Sequence, residues 1–404
     1  MALSNISRRG VLAASSLLAM PAVLRAQEAT IKIGFPVPLT GPYGTEAKDQ
    51  VACAQIAIDD FNAAGGLAGR KAELLVRDDK LNPGEAATRT LELIEKDQVN
   101  FIVGSLSAAV QLAINNVAKQ RGVIFNSISQ SDQIAALPDW SRTTFHEAMT
   151  PHLTAGAVGR YAFSKFGKKV VFLRADYAYG DEMVDGFKAV GGAMGIEVLA
   201  DLKHPLGMTD FSTLLPRIQS LKPDMLVLCN FGRDQQISIK QATDFGLKKT
   251  TKIVAPVLLY TSRIAAGPAA FEGVIGGTSY YWGIEANTPS AKVFNDKYRK
   301  ANGSKVPSDY GALGYAGVRS ILDACTRAGS VDTAKVVAAL EGVKYDSYKG
   351  AEEIRSCDHQ SVQSVFIIES KSKDMANEYD VFNVLATDAA NADNLRSCKE
   401  EGHA

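Results

Sequence analysis

The chain has 404 residues, 44 Lys and Arg against 44 Asp and Glu, 46% hydrophobic and 22% charged residues. At roughly 150 residues per domain this length supports two or three domains with substantial cores. A formal charge of zero, both signs interspersed, argues against nucleic acid or an anionic membrane surface as the main partner. The composition excludes a collagen, a coiled coil and a disordered chain, and five cysteines without a CxxC pair exclude the common zinc and redox frameworks.

The first segment is an export signal. Ser7-Arg8-Arg9 leads into a charge-free run from Gly10 to Leu24, and small residues follow around Ala26. A basic start, a short apolar stretch and a small exit residue predict a cleaved signal over 1–26. The run is shorter than the ~20 apolar residues a membrane span needs. The paired arginines suggest twin-arginine export, with Sec export as the alternative. Cleavage removes Arg8, Arg9 and Arg25 and no acid, so the mature chain is mildly acidic.

The rest alternates strand and helix. Strand-like runs at 31–37 and 72–77 flank a helical period at 50–61. A helix follows at 83–97, with Asn82 as N-cap and Pro83 in the first turn. Then come a strand at 100–103, a helix at 108–120 and a strand at 123–125. The pattern restarts with helix 153–166, strand 169–173, helix 180–194 and strand 196–199. Helix 211–220, strand 224–228, helix 235–245 and strand 252–255 complete it. Residues 289–340 read as mainly helical, and strands return at 362–369 and 378–384. Such alternation predicts α/β architecture, with parallel sheets covered on both faces. Two blocks predict two doubly wound lobes: 27–148 with about 280–360, and 149–279 with about 361–404.

The segments IKIGFPVPLTGPYG, AQIAIDDFNAAGGLAGRKAELLVRDDKLNP, FIVGSLSAA, RADYAYGDEM and KQATDFGL occur in that order. Together they resemble the periplasmic branched-chain amino acid binding protein family, the type I solute-binding proteins of ATP-driven importers. The resemblance spans nearly all of 30–385. It implies two lobes joined by three hinge crossings, a ligand closed between them, a membrane permease as partner, and no catalytic residue or cofactor. A monomer is expected.

The residues point the same way. Ligands of open parallel sheets bind beyond the strands' carboxyl ends, where loops feed helix N-termini. The loop holding Ser105, Ser107 and Ala108 follows a strand and opens a helix, so its free N–H groups and hydroxyls suit a carboxylate. Ser129, Gln130 and Ser131 follow the next strand. In the resembling family the positions matching Ala108, Ser129 and Ser131 hold the ligand carboxylate; many members offer a hydroxyl where Ala108 stands. Tyr177, Tyr179, Asn230 and Phe231 follow strands of the second block; Tyr179 matches a family contact position and Phe231 a position often aromatic in the family. Tyr43 is placed to close the rim. One departure stands out. Family members that bind α-amino acids carry an acid after the strand that here ends at Ala255, to neutralise the ligand ammonium. Here 255–260 reads APVLLY, with Val257 at its centre and no acid. The ligand expected is therefore a small carboxylate without an ammonium: an aromatic, keto or branched aliphatic acid. Glu46 or Asp234 is the candidate substitute for the missing acid, which keeps a branched-chain amino acid open.

Other readings are weaker. The GGLAG run at 65–69 follows a helix and precedes a strand, the reverse of a phosphate-cradling turn. His146 and His152 do not have i,i+4 metal-ligand spacing, and no nucleophile elbow is present. Receptor sensing domains share the fold but continue into a membrane span or signalling module, which is not expected here; a separate receptor remains an alternative partner. Cys53, Cys229 and Cys325 lie in apolar periodic stretches and read as buried. Cys357 and Cys398 lie in polar segments of an exported chain and predict a disulfide.

Overall fold

The computed structural model describes residues 30–403. The signal assigned to 1–26 lies outside them. Five parallel strands form the first sheet: β1 (Ile31–Val37), β2 (Ala72–Asp78), β3 (Phe101–Gly104), β4 (Ile124–Ser127) and β5 (Thr144–His146), in the order β2-β1-β3-β4-β5. Helices α1 (Gly44–Ala63), α2 (Pro83–Glu95) and α3 (Ala108–Gln120) connect them. The central strands are buried along their whole length, as parallel strands covered on both faces must be. Ala86, Leu93, Ile102, Val110 and Phe125 form a small separate core under α2 and α3.

The second sheet repeats the plan. Strands β6 (Lys169–Ala175), β7 (Glu197–His204), β8 (Met225–Cys229), β9 (Lys252–Val257) and β10 (Ile275–Thr278) run parallel in the order β7-β6-β8-β9-β10. Helices α4 (Pro151–Lys165), α5 (Ala178–Met194), α6 (Leu214–Ser220), α7 (Gly232–Asp244), α8 (Tyr260–Ala266) and α9 (Pro268–Phe271) surround it. The chain then returns to the first lobe as α10 (Pro289–Ala301), α11 (Asp309–Ala328) and α12 (Thr333–Leu340), followed by a small antiparallel sheet of β11 (Lys344–Tyr345), β12 (Glu352–Ile354) and β13 (Ser361–Val362). It crosses back as β14 (Val365–Ser370) and β15 (Phe382–Asp388), which pair antiparallel beyond β10. The second sheet is therefore mixed rather than wholly parallel.

Three passages join the lobes, at 147–150, 279–281 and 363–364. The third splits the strand expected over 362–369, because the chain changes lobe at 363–364. The last residues, assigned to the second lobe from sequence, return to the first. Cys398 is bonded to Cys357, the Leu137 N–H donates to the Glu401 carbonyl at 2.9 Å, and His403 Nε2 lies 2.8 Å from the Ala135 carbonyl. Among the described residues no helix is long and apolar enough to cross a membrane.

Candidate ligand-binding cleft

Both sheets have their topological switch point where the first and third strands of the lobe in chain order lie side by side: β1 beside β3, and β6 beside β8. Loops leaving adjacent strands diverge there and open a crevice, the place where open α/β sheets bind ligands. Four helices start from these loops, and each starts without a side-chain cap: α1 after Tyr43, α3 after Ser107, α5 after Tyr177 and α7 after Phe231. By contrast, Asn82, Thr150, Ser308 and Asp332 cap α2, α4, α11 and α12 through their side chains. First-turn N–H groups at the cleft are thus left without that internal partner, and the helix dipole there favours negative charge.

Aromatic rings line the crevice from both lobes. The Tyr43 ring meets Phe231 edge-on at 4.8 Å, and Phe231 meets Tyr310 at 4.7 Å. Tyr177 stacks on Tyr179 at 5.9 Å. The Tyr43 and Tyr177 hydroxyls lie 3.0 Å apart, one from each lobe. Expected at the rim, Tyr43 is wholly buried, and burial, then its interaction with the Tyr177 hydroxyl, holds its phenol far above the usual range. Both hydroxyls stay neutral. Gly232 makes this approach possible: its φ is +55°, and a Cβ there would stand 2.6 Å from the Tyr43 ring. The Tyr179 hydroxyl is buried without a hydrogen-bond partner.

The polar loops divide into two kinds. Ser105, Ser107, Ala108, Ser129, Gln130 and Ser131 are all buried at the carboxyl ends of β3 and β4. Ser105 Oγ lies 3.4 Å from Asp79 Oδ2 and accepts from the Leu106 N–H, while Gln130 Oε1 accepts from Thr154 at 3.3 Å. Ser131 Oγ donates to Glu182 of α5 at 3.2 Å, and the Asp132 N–H donates to the same carboxylate at 3.1 Å, so this loop also bridges the lobes. Asn230 and Val257 are held inside the second lobe. Asn230 Nδ2 donates to Ser238 at 3.1 Å, and Gln235 donates from Nε2 to the Val257 carbonyl at 2.6 Å while accepting the Leu259 N–H.

No acid stands in the loop after β9, but two buried carboxyls from the first lobe approach it. Glu46 accepts from Thr261 Oγ1 at 2.5 Å across the cleft. Burial pushes its carboxyl up to about 7. Asp309, at the start of α11, is 2% exposed with neither oxygen hydrogen-bonded, and burial pushes it up to about 8, with Glu46 adding to the rise. Asp234 points elsewhere, accepting the Gly207 N–H at 2.9 Å. Asp309, Tyr310 and Glu182 escaped the sequence reading. Their place at the cleft depends on how α11 and α5 pack, which no local spacing encodes. Among the described residues no three or more His, Cys, Asp or Glu gather as metal ligands.

Two α/β lobes with polar strand ends and rings facing each other across the switch points frame a crevice suited to enclosing a small solute. The chain matches the model of the Periplasmic binding protein family over residues 30–375 and belongs to that family. It is 29% identical to a Leu/Ile/Val-binding protein of Rhizobium johnstonii, over 80% of this chain and 86% of the relative. A periplasmic binding protein of Burkholderia mallei superposes with TM-score 0.85 at 28% identity, over 92% of this chain and 97% of that one. A solute-binding protein of Rhodopseudomonas palustris, solved with 3,4-dihydroxybenzoic acid, gives TM-score 0.81 at 26% identity, over 89% and 98%. The chain is thus the periplasmic solute-binding component of an ATP-driven importer; its partners are a small molecule and a membrane permease, and it is not an enzyme.

Proposed function

We propose that the cleft captures a small carboxylate lacking an ammonium group, an aromatic acid first and keto or branched aliphatic acids next. The observation that carries this is the acid-free loop 255–260, where Val257 is 1% exposed and its carbonyl is already taken by Gln235. An ammonium set against that loop has no counter-charge, and an unpaired buried cation is costly. Rings from both lobes suit a flat apolar body, with about 0.5–1.5 kcal/mol per ring pair beyond burial alone. The start of α3, with Ser107, Ser129 and Ser131, suits the carboxylate. The Rhodopseudomonas relative, solved with an aromatic acid, adds support.

A branched-chain amino acid is the second reading, and a specific observation favours it. Glu46 and Asp309 bring two buried carboxyls to the cleft from the lobe opposite the expected acid. The relatives named for Leu, Ile and Val lean the same way. A thermal-shift screen of the mature protein against benzoates, aromatic and aliphatic keto acids, and amino acids separates the two. At 100 times its Kd a ligand adds about 2.7 kcal/mol of apparent stability. The first reading predicts shifts from carboxylates alone; shifts from amino acids alone would select the second.

A further inference from the structure

The three passages between the lobes meet at one buried lysine. Lys349, between β11 and β12, is 5% exposed. Its ammonium donates to Gln363 Oε1 at 2.5 Å and to the Ser279 carbonyl at 3.3 Å, and lies 3.3 Å from Glu352. Gln363 Nε2 in turn donates to the Glu147 carbonyl at 2.7 Å, and Tyr345 Oη donates to the Glu147 carboxyl at 2.8 Å. Glu147 thus comes from the first passage, Ser279 from the second and Gln363 from the third. The hairpin of β11 and β12 ties them together.

The charges in this site do not balance. Glu147 is fully buried and Glu352 is 4% exposed, and Glu147 Oε2 has no hydrogen-bond partner. Two carboxylates beside one ammonium leave an excess negative charge away from water, and one added proton cancels it. Burial, then the charge of Glu352, pushes Glu147 up to about 8, against the Tyr345 hydrogen bond and Lys349. Burial pushes Glu352 up to about 7, with Asp346 adding and Lys349 opposing. Two neutral groups also face the site, the Tyr348 ring, 5.1 Å from the Lys349 ammonium, and Ser361 Oγ, 3.2 Å from Tyr345 Oη, while the charged Lys344 and Glu353 lie 3.5 Å from each other along the adjoining groove. A groove of about 490 Å³ lined by Tyr345, Glu352 and Val362 gives solvent protons a way to the edge of the site.

We propose that Glu147, Glu352 and Lys349 form a proton-operated clasp on the inter-lobe passages: with one of the two carboxyls protonated the passages stay drawn together, and loss of that proton loosens them and shifts the lobes toward wider separation. The clasp rests on the two-lobe reading and is independent of ligand class. Both carboxyls titrate above an ordinary glutamate, near 4.3. The folded chain therefore holds protons that the unfolded chain has released. Their stabilising contribution is full below about pH 4.3 and is lost as pH rises through about 8.

The test measures the distance between spin labels at Lys96→Cys and Lys240→Cys, exposed on the first and second lobes, in the full mature chain without ligand from pH 6 to 9.5. The distribution should move to longer distances with a midpoint between pH 7 and 8, the range of the two carboxyls. Glu147→Gln should hold the short-distance distribution at every pH. Tyr345→Phe, which removes a bond favouring ionised Glu147, should raise the midpoint, and it decides the matter if Glu147→Gln does not fold. A wild-type distribution that is flat across the range overturns the proposal. So does a Tyr345→Phe midpoint equal to wild type, or a Glu147→Gln protein that still titrates; the latter result would place the response on Glu46, Asp309 or Glu182 across the cleft.

Discussion

Tyr43 and Tyr177 come from segments 134 residues apart, and their hydroxyls share one proton bridge across the cleft. The bond links the two lobes beside the buried Tyr43 ring, so a closed, ligand-holding state is where its worth should be felt. A net hydrogen bond contributes about 0.5–1.5 kcal/mol. Tyr43→Phe should therefore weaken affinity for a ligand found in the screen by about twofold to about tenfold, read by calorimetry, with an unchanged far-UV spectrum. Equal affinity would mean the bridge plays no part in ligand capture. At this scale the sequence was readable where a side chain sits at a strand end: Ser105, Ser107, Tyr177, Tyr179 and Phe231 lie at the switch points, and Ser129 lies at the neighbouring end of β4. It was silent where position depends on distant packing. Asp309 meets Glu46 only because α11 lies on α1, which puts residues 263 positions apart together. It was also silent on partners, since nothing local says that Ser131 reaches Glu182.

Elements with a strong period were legible. The segments at 31–37, 83–97, 108–120 and 180–194 each correspond to an observed element with ends shifted by at most two residues. Short pieces were not. β5 has three residues, β10 is two glycines between Ile275 and Thr278, and α8 has only seven residues, so neither period nor β-branched content marks them. The packing of α11 on α1 has a sequence device that the period alone hides. Gly311 and Gly314 face α1: an added Cβ at Gly311 would meet Asp49 and Cys53, and one at Gly314 would stand 2.3 Å from the Gln50 carbonyl. Gly314→Val must push the helices apart and should cost about 1–3 kcal/mol or more in urea unfolding. A loss within ~0.5 kcal/mol would show that the pair yields easily. The tail is held differently. Cys357 and Cys398 are 41 positions apart with Cα atoms at 6.1 Å, and the chain-entropy model gives about 4 kcal/mol for such a loop. Intact mass under denaturing, non-reducing conditions should show no alkylatable thiol at either position, and reduction should lower the melting temperature. Two free thiols would remove the tie.

At the scale of the whole molecule, the two lobes repeat one strand order, and each presents its switch point to the other. That repetition was visible in the sequence as a restarting strand-helix pattern, so the two-lobe plan was legible although the antiparallel pairing of β14 and β15 was not. A ligand gripped from both lobes would make closure and binding one process, with affinity set by what each lobe adds when they meet. The central claim concerns the chemistry of what is enclosed, and paired calorimetric titrations of the mature protein with phenylpyruvate and phenylalanine address it most directly. The two ligands share a ring and a carboxylate and differ in keto against ammonium, so their contrast isolates the missing counter-charge at 255–260. The account predicts that phenylpyruvate binds at least tenfold more tightly, equivalent to about 1.4 kcal/mol. Tight binding of phenylalanine or leucine, with phenylpyruvate and benzoate failing, would contradict it and assign Glu46 and Asp309 to the ligand ammonium.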